Sequence, residues 1–195
     1  PRSHRALFNR GNVFADRGEF SQAIEDYTAA LEITPDPQTF NNRGLAELAL
    51  EFYPAALSDF SAALQRDPEV AAYYKNRSSA LRALERFDEA LTDLIAVQQL
   101  LPDDPNGYNQ LGLALIEMGD WDAAAVNFDQ AIREDRMAPE AYNNRGNVYL
   151  YRDLPVWAIA DFSTAISLDP DFADAYANLG VAYHNNGDYD AALTQ

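Results

Sequence analysis

Apolar residues in this chain fall into short helical stripes that come in pairs, and the pairs recur. Leu7, Gly11 and Phe14 share one face at the three-to-four residue spacing of an α-helix. Arg17-Gly18-Glu19 interrupts the stripe. Phe20, Ala23, Ile24, Tyr27, Ala30 and Leu31 then form a second one, closed by Pro35. The residues Gly11, Gly44, Ser78, Gly112, Gly146 and Gly180 mark the same place in successive copies and stand 33, 34, 34, 34 and 34 apart. NRG occurs at Asn9–Gly11, NNRG at Asn41–Gly44 and Asn143–Gly146, and NRS at Asn76–Ser78. Self-similarity at this period predicts an all-α solenoid, one domain over 1–195, built of repeats 4–36, 37–70, 71–104, 105–138, 139–172 and a shortened 173–195. Each repeat predicts two antiparallel helices joined by a tight turn. Either helix alone is too short to be stable in water, and stacking on its neighbours supplies the core.

Small residues and breakers refine the picture. Packed helices lie roughly 8–10 Å apart, and Gly11 set against Ala23 predicts the close end of that range, with Tyr27, Phe60 and Phe162 filling the space beside them. Gly18, Gly119 and Gly187 predict a turn with positive φ. The other repeats are expected to make it with Phe52, Glu85 and Tyr151 or Arg152. Pro54 and Pro155 fall at the start of second helices, where a missing N–H costs little.

Two columns of polar residues run through the repeats. The sixth position holds Asn9, Asn42, Asn76, Gln110, Asn144 and Asn178, although asparagine is a mediocre helix residue. Each amide offers a donor and an acceptor. Three roles are open to this ladder: pairing with the backbone of a bound peptide, tying one helix to the next, or facing water. Asn12 and Asn147 add to the same face, flanked by Asn41, Lys75, Asn109 and Asn143. The second column couples residues sixteen apart: Arg10 with Asp26, Arg43 with Asp59, Arg77 with Asp93, Arg145 with Asp161. Where leucine replaces arginine, at Leu111 and Leu179, the partner is the uncharged Asn127 or Gln195. This predicts a charge-assisted contact from first helix to second; common descent of the copies without contact is the alternative.

With Gly at the eighth position, Ala at the twentieth and twenty-seventh, an aromatic near the twenty-fourth and Pro at the thirty-second, the sequence resembles the tetratricopeptide repeat over essentially its whole length. The resemblance implies a right-handed superhelix whose first helices line a concave groove, and a non-catalytic module that binds proteins. The NNRG-type repeats are similar to those of bacterial and photosynthetic-organelle assembly factors. One branch of the family grips a C-terminal carboxylate with three cations and two asparagines. Here Phe8, Asn12, Asn42, Ala72 and Asn76 stand in those places, and all three cations are missing. The resemblance therefore points to an extended peptide or loop held by the ladder. The rival is a structural adaptor or assembly factor that binds by its convex face or ends.

Composition narrows the partner. The chain carries 31 acidic against 14 basic residues, a net charge of -17, which repels phosphate backbones and favours a basic protein segment over nucleic acid. Lys75 is the one lysine. No cysteine is present, and His4 and His184 stand far apart in sequence, so no cofactor or metal site is expected. No apolar run approaches the ~18 residues of a membrane span, and the expected setting is soluble, cytoplasm or an organellar stroma. The sequence starts at Pro1 and stops within a repeat, as an excised piece would. An incomplete last repeat predicts that Tyr183, Tyr189, Ala192 and Leu193 are poorly covered and that 173–195 continues into further chain, meets a partner or associates end to end with another copy.

Overall fold

The computed structural model describes residues 3–194, which form twelve α-helices and no strand among the described residues. First helices are α1 (His4–Asp16), α3 (Pro37–Ala49), α5 (Ala71–Ala83), α7 (Pro105–Glu117), α9 (Pro139–Tyr151) and α11 (Ala173–Asn186). Second helices are α2 (Phe20–Ile33), α4 (Tyr53–Arg66), α6 (Phe87–Leu100), α8 (Trp121–Glu134), α10 (Pro155–Leu168) and the short α12 (Tyr189–Ala192). The chain divides into two compact units, Pro1–Leu101 and Pro102–Gln195. In the first, α1 to α6 pack each on the next and α3 also touches α1 and α5. In the second, α7 to α12 do the same, with α9 touching α7 and α11. Each unit is thus a stack of helix pairs, the all-α solenoid class expected of the repeats.

Helix starts follow from short polar side chains and proline. Ser3, Asp36, Asp104 and Asp120 each accept a hydrogen bond from a backbone N–H of the first turn. Pro37, Pro105, Pro139 and Pro155 occupy first helical positions, where a missing N–H leaves no bond unmade.

Every pair turns through one left-handed residue. Gly18, Gly119 and Gly187 have φ of 75°, 81° and 85°, as expected. In the other three repeats the left-handed residue is Glu51, Glu85 or Asp153, with φ of 62°, 57° and 57°. Glu85 is the residue expected. Phe52 and Tyr151 or Arg152 are not: the left-handed residues keep the period of the repeats, which brings Glu51 and Asp153 to the turn.

The core of each pair is a set of alanines and one large ring. Ala23, Ala56, Ala90, Ala124 and Ala158 are fully buried, as are Ala30, Ala63, Ala131 and Ala165. The nearest neighbour of each marker glycine from Gly11 to Gly146 is that ring. A Cβ on Gly11, Gly44, Gly112 or Gly146 would lie 2.6, 2.7, 2.5 or 2.6 Å from a ring carbon of Tyr27, Phe60, Phe128 or Phe162. A ring thus lies flush against the glycine backbone in each of these repeats. In the third repeat the marker is Ser78, and the ring's place is taken by Leu94. The Ser78 hydroxyl donates to the Lys75 carbonyl at 2.7 Å.

Candidate functional site: an amide ladder on the first helices

The ladder is built from the first helices, where positions five and six of successive repeats come side by side. Asn76 Nδ2 donates to Asn41 Oδ1 at 2.8 Å, Asn144 Nδ2 to Asn109 Oδ1 at 2.9 Å, and Asn178 Nδ2 to Asn143 Oδ1 at 3.0 Å. In each case position six of one repeat donates to position five of the repeat before, 35 residues back. The acceptors Asn41, Asn109 and Asn143 are buried, and the donors are half-buried. The first repeat carries Phe8 in place of an acceptor. Asn42 Nδ2 turns instead to Asn12 Oδ1 at 3.0 Å, which also accepts from the Tyr27 hydroxyl at 2.7 Å. Burial pushes the Tyr27 phenol up to about 12, so it remains a donor throughout the working pH range.

The inter-repeat role is thus present in the fold, and it takes up one N–H each of Asn42, Asn76, Asn144 and Asn178. Asn144 and Asn178 each commit one N–H to the preceding repeat, and each keeps a carbonyl and a second N–H at a half-exposed surface. Asn9 and Lys75 are exposed and Asn147 is half-buried. Two hollows lie on this face. One of about 350 Å³ in the first unit is lined by Asn12, Phe20, Tyr27, Asn42 and Leu45. The other, also about 350 Å³, lies in the second unit between Asn106, Asn109, Gln110, Met137 and Glu140. The flanking asparagines were legible as neighbours of the ladder. Their role as its acceptors was not, although the doubled NN of the second and fifth repeats marks the two positions involved.

The arginine column is a brace of three helices. Each of the four arginines forms the bidentate pair with its aspartate, as the sixteen-residue spacing predicted: Arg43 to Asp59 at 2.6 and 2.8 Å, Arg77 to Asp93 at 2.8 and 2.7 Å, Arg145 to Asp161 at 2.8 and 2.7 Å, and Arg10 to Asp26 at 2.5 and 2.6 Å. All four aspartates are buried. Three arginines also reach the second helix of the preceding repeat. Arg43 Nη1 donates to Thr28 Oγ1 at 3.0 Å, Arg77 Nη1 to Ser61 Oγ at 3.4 Å, and Arg145 Nη1 to Asp129 Oδ1 at 2.7 Å. Hydrogen bonding to Asp161 raises the Arg145 guanidinium above its ordinary range, and the same cause acts on Arg43 and Arg77. Where Leu111 replaces arginine it is buried, and Asn127 donates to its own helix at the Ala123 carbonyl, 2.9 Å away. Gln195, the counterpart of Leu179, lies outside the described residues. The third partner was not anticipated. Its signal was a column of side-chain oxygens at Thr28, Ser61 and Asp129, each 15 or 16 residues before an arginine. Arg43, Arg77 and Arg145 thus have all three nitrogens committed within the fold.

Glu47 is a further buried acid. In the other repeats its column holds Phe14, Leu81, Leu115, Tyr149 and Tyr183. Burial, and then the charge of Asp59, push its carboxyl up to about 7 against the pull of Arg43. Its Oε2 has no hydrogen-bond partner. The folded chain therefore holds a proton on Glu47 between about pH 4.5 and 7 that the unfolded chain has released. Stability is lost as pH rises through this window. We expect Glu47→Leu, which installs the residue of the third and fourth repeats, to raise the urea midpoint followed by circular dichroism. The gain should be small at pH 5 and largest at pH 8. A gain independent of pH would assign the effect to packing alone.

Tight helix pairs tied by repeated polar columns define a helical-repeat scaffold, and comparison with known proteins identifies the kind. Family models described as tetratricopeptide repeat match residues 4–37, 139–172 and 41–105, and one described as TPR repeat matches 112–150 and 158–187. The chain belongs to the tetratricopeptide repeat family. It is 46% identical over 65 residues to serine/threonine-protein phosphatase T of Trypanosoma brucei brucei, a match covering 33% of this chain and 14% of that protein. A tetratricopeptide repeat protein from Parabacteroides merdae superposes with a TM-score of 0.86 at 20% identity, over 98% of this chain and 76% of that one. YrrB, described as a TPR protein with an unusual peptide-binding site, superposes with a TM-score of 0.72 at 25% identity, over 87% of this chain and 88% of that one. Proteins of this family mediate protein–protein interaction, and the fold is generally a non-catalytic scaffold. Among the described residues no helix is long and apolar enough to cross a membrane, and no cluster of three or more His, Cys, Asp or Glu could hold a metal ion.

Proposed function

We propose that the chain is a peptide receptor whose amide ladder holds an extended segment of another protein in the groove of its first helices. The observation that carries this is the half-used amide. Asn144 and Asn178 are fixed by one N–H each, so the remaining carbonyl and N–H are held in place before a ligand arrives. A peptide backbone offers the complementary pair at every residue, so such a surface reads extension more than sequence. YrrB, with its peptide-binding site, supports a ligand of this class. The charge of -17 favours a basic segment and disfavours nucleic acid. Asn9, Asn12, Asn42, Asn76, Gln110, Asn144, Asn147 and Asn178 would form the contact surface, with Asn41, Lys75, Asn109 and Asn143 at its edge.

The test is an array of basic peptides of about twelve residues, each made with and without N-methylated backbone amides. The expected result is that peptides bound by the chain lose binding on N-methylation, and lose it to an Asn76/Asn144/Asn178→Ala variant that retains its helical circular dichroism. Peptides bound equally by both proteins would move the function to another face, as in the adaptor or assembly-factor reading. That second reading is favoured by one observation, the inter-repeat bonds that already occupy part of Asn42, Asn76, Asn144 and Asn178.

A further inference from the structure

The fifth repeat breaks the pattern of its neighbours at the turn between α9 and α10. Tyr151, Leu154, Val156 and Trp157 lie within seven residues and are 64%, 40%, 65% and 62% exposed. The other repeats show what folding requires here. The Val156 column holds Ser21, Pro54, Asp88, Asp122 and Asp190, and the Trp157 column holds Gln22, Ala55, Glu89, Ala123 and Ala191. At these two columns the five other copies carry no large apolar side chain, so the valine and tryptophan are not demanded by the fold. The patch is also shaped. Trp121 of the preceding repeat stacks on Tyr151 with ring centroids 4.0 Å apart and planes 9° apart, and Trp157 lies tilted against Tyr149 at 6.1 Å. Aromatic rings held in this way are good anchors for a partner, since little side-chain freedom is left to lose on binding.

The rim is acidic. Asp120, Asp122 and Asp153 are exposed beside the patch, and its one cation, Arg152, is held by Asp122. Exposed apolar side chains gathered at one turn mark an interaction site. We infer that this turn edge is a docking surface, separate from the ladder, for a protein segment that places an aliphatic or aromatic side chain between lysines or arginines. The apolar residue covers Trp157 and Val156, and the cations meet the aspartates and the faces of the rings. A second copy of this chain is the poorer occupant, because it would bring the same carboxylates against one another.

The probe is a fluorescein-labelled twelve-residue peptide of leucine and lysine, with a leucine–glutamate peptide of equal apolar content as its control. Binding is read by anisotropy, and by the emission of Trp157 in a Trp121→Phe background; phenylalanine already occupies that column at Phe20 and Phe87. The expected result is saturable binding of the lysine peptide, a blue shift of Trp157, and no binding of the glutamate peptide. Val156→Asp with Trp157→Ala installs the residues of the fourth repeat, which that repeat shows to be compatible with the fold. It should weaken binding at least tenfold while leaving the melting curve in place. This variant is more acidic than the parent, so attraction by charge alone would bind it as tightly or more so. Undiminished binding would therefore overturn the proposal. An Asn144/Asn178→Ala variant should keep the blue shift of Trp157, whatever the ladder itself binds; loss of the shift there would assign the peptide to the ladder instead. Sedimentation of the chain without peptide should show a monomer. A dimer that the Val156→Asp/Trp157→Ala variant dissolves would give the patch to a second copy.

Discussion

Replacing Arg145 with methionine should cost about 3–5 kcal/mol, because it leaves the Asp161 carboxylate buried without a counter-charge. Arg145 is the most heavily committed side chain in the second unit. Its guanidinium is shared between Asp161 on its own second helix and Asp129 on the one before, with Tyr142 and Tyr149 at 5.7 and 5.8 Å from its central carbon. The same change at Arg10 should cost much less, since that arginine is 59% exposed and makes no bond to a preceding repeat. The fourth repeat supplies the rescue. There the column reads Leu111 and Asn127, and Asn127 satisfies itself on the carbonyl four residues back. Arg145→Leu with Asp161→Asn should therefore recover most of the loss, with the new amide turning to the Trp157 carbonyl. Urea denaturation followed by tryptophan emission reports on this unit, which contains both Trp121 and Trp157. A double variant as unstable as Arg145→Met would mean that the bond to Asp129, and not the buried charge, dominates.

The second large effect is steric. Gly112→Ala should destabilise by about 1–3 kcal/mol, although alanine is the better helix former by about 1 kcal/mol. Its new Cβ would stand 2.5 Å from Phe128 Cε1, and Phe128 is fully buried with no room to retreat. Phe128→Leu alone opens a void and also destabilises. The third repeat, with Ser78 and Leu94, shows that the two changes suit each other. The Gly112→Ala/Phe128→Leu double variant should thus lose clearly less than the sum of the singles. Strict additivity in the same urea experiment would show that glycine and ring are not matched as a pair.

Much of this architecture was legible because period and pattern agree. The markers Gly11 to Gly180 gave the repeat length, the stripes gave the helix pairs, and the matched changes Arg→Leu and Asp→Asn gave the braces before any coordinates. What escaped has a common cause. The ring over Gly11, the bond from Arg145 to Asp129 and the acceptor role of Asn143 all depend on how one segment is rotated against another. Residue spacing fixes which side chains share a face, but not which atom on the next helix they meet. Glu47 was missed for a different reason: it is the odd member of its column. Repetition draws attention to what is shared, whereas the exceptions are visible only when each column is read for its outlier.

The third hydrogen bond of Arg43, Arg77 and Arg145 has a consequence beyond the strength of any one repeat. A bond from Arg43 to Thr28, or from Arg145 to Asp129, belongs to a pair of repeats and disappears when either one opens. In a linear stack such shared energies decide how far a local opening spreads before it stops. The series is graded, from a long contact to Ser61, through Thr28, to the charged Asp129 at 2.7 Å. The fourth and fifth repeats should accordingly exchange their amide hydrogens together, as one cooperative block, while the second and third come apart in smaller steps.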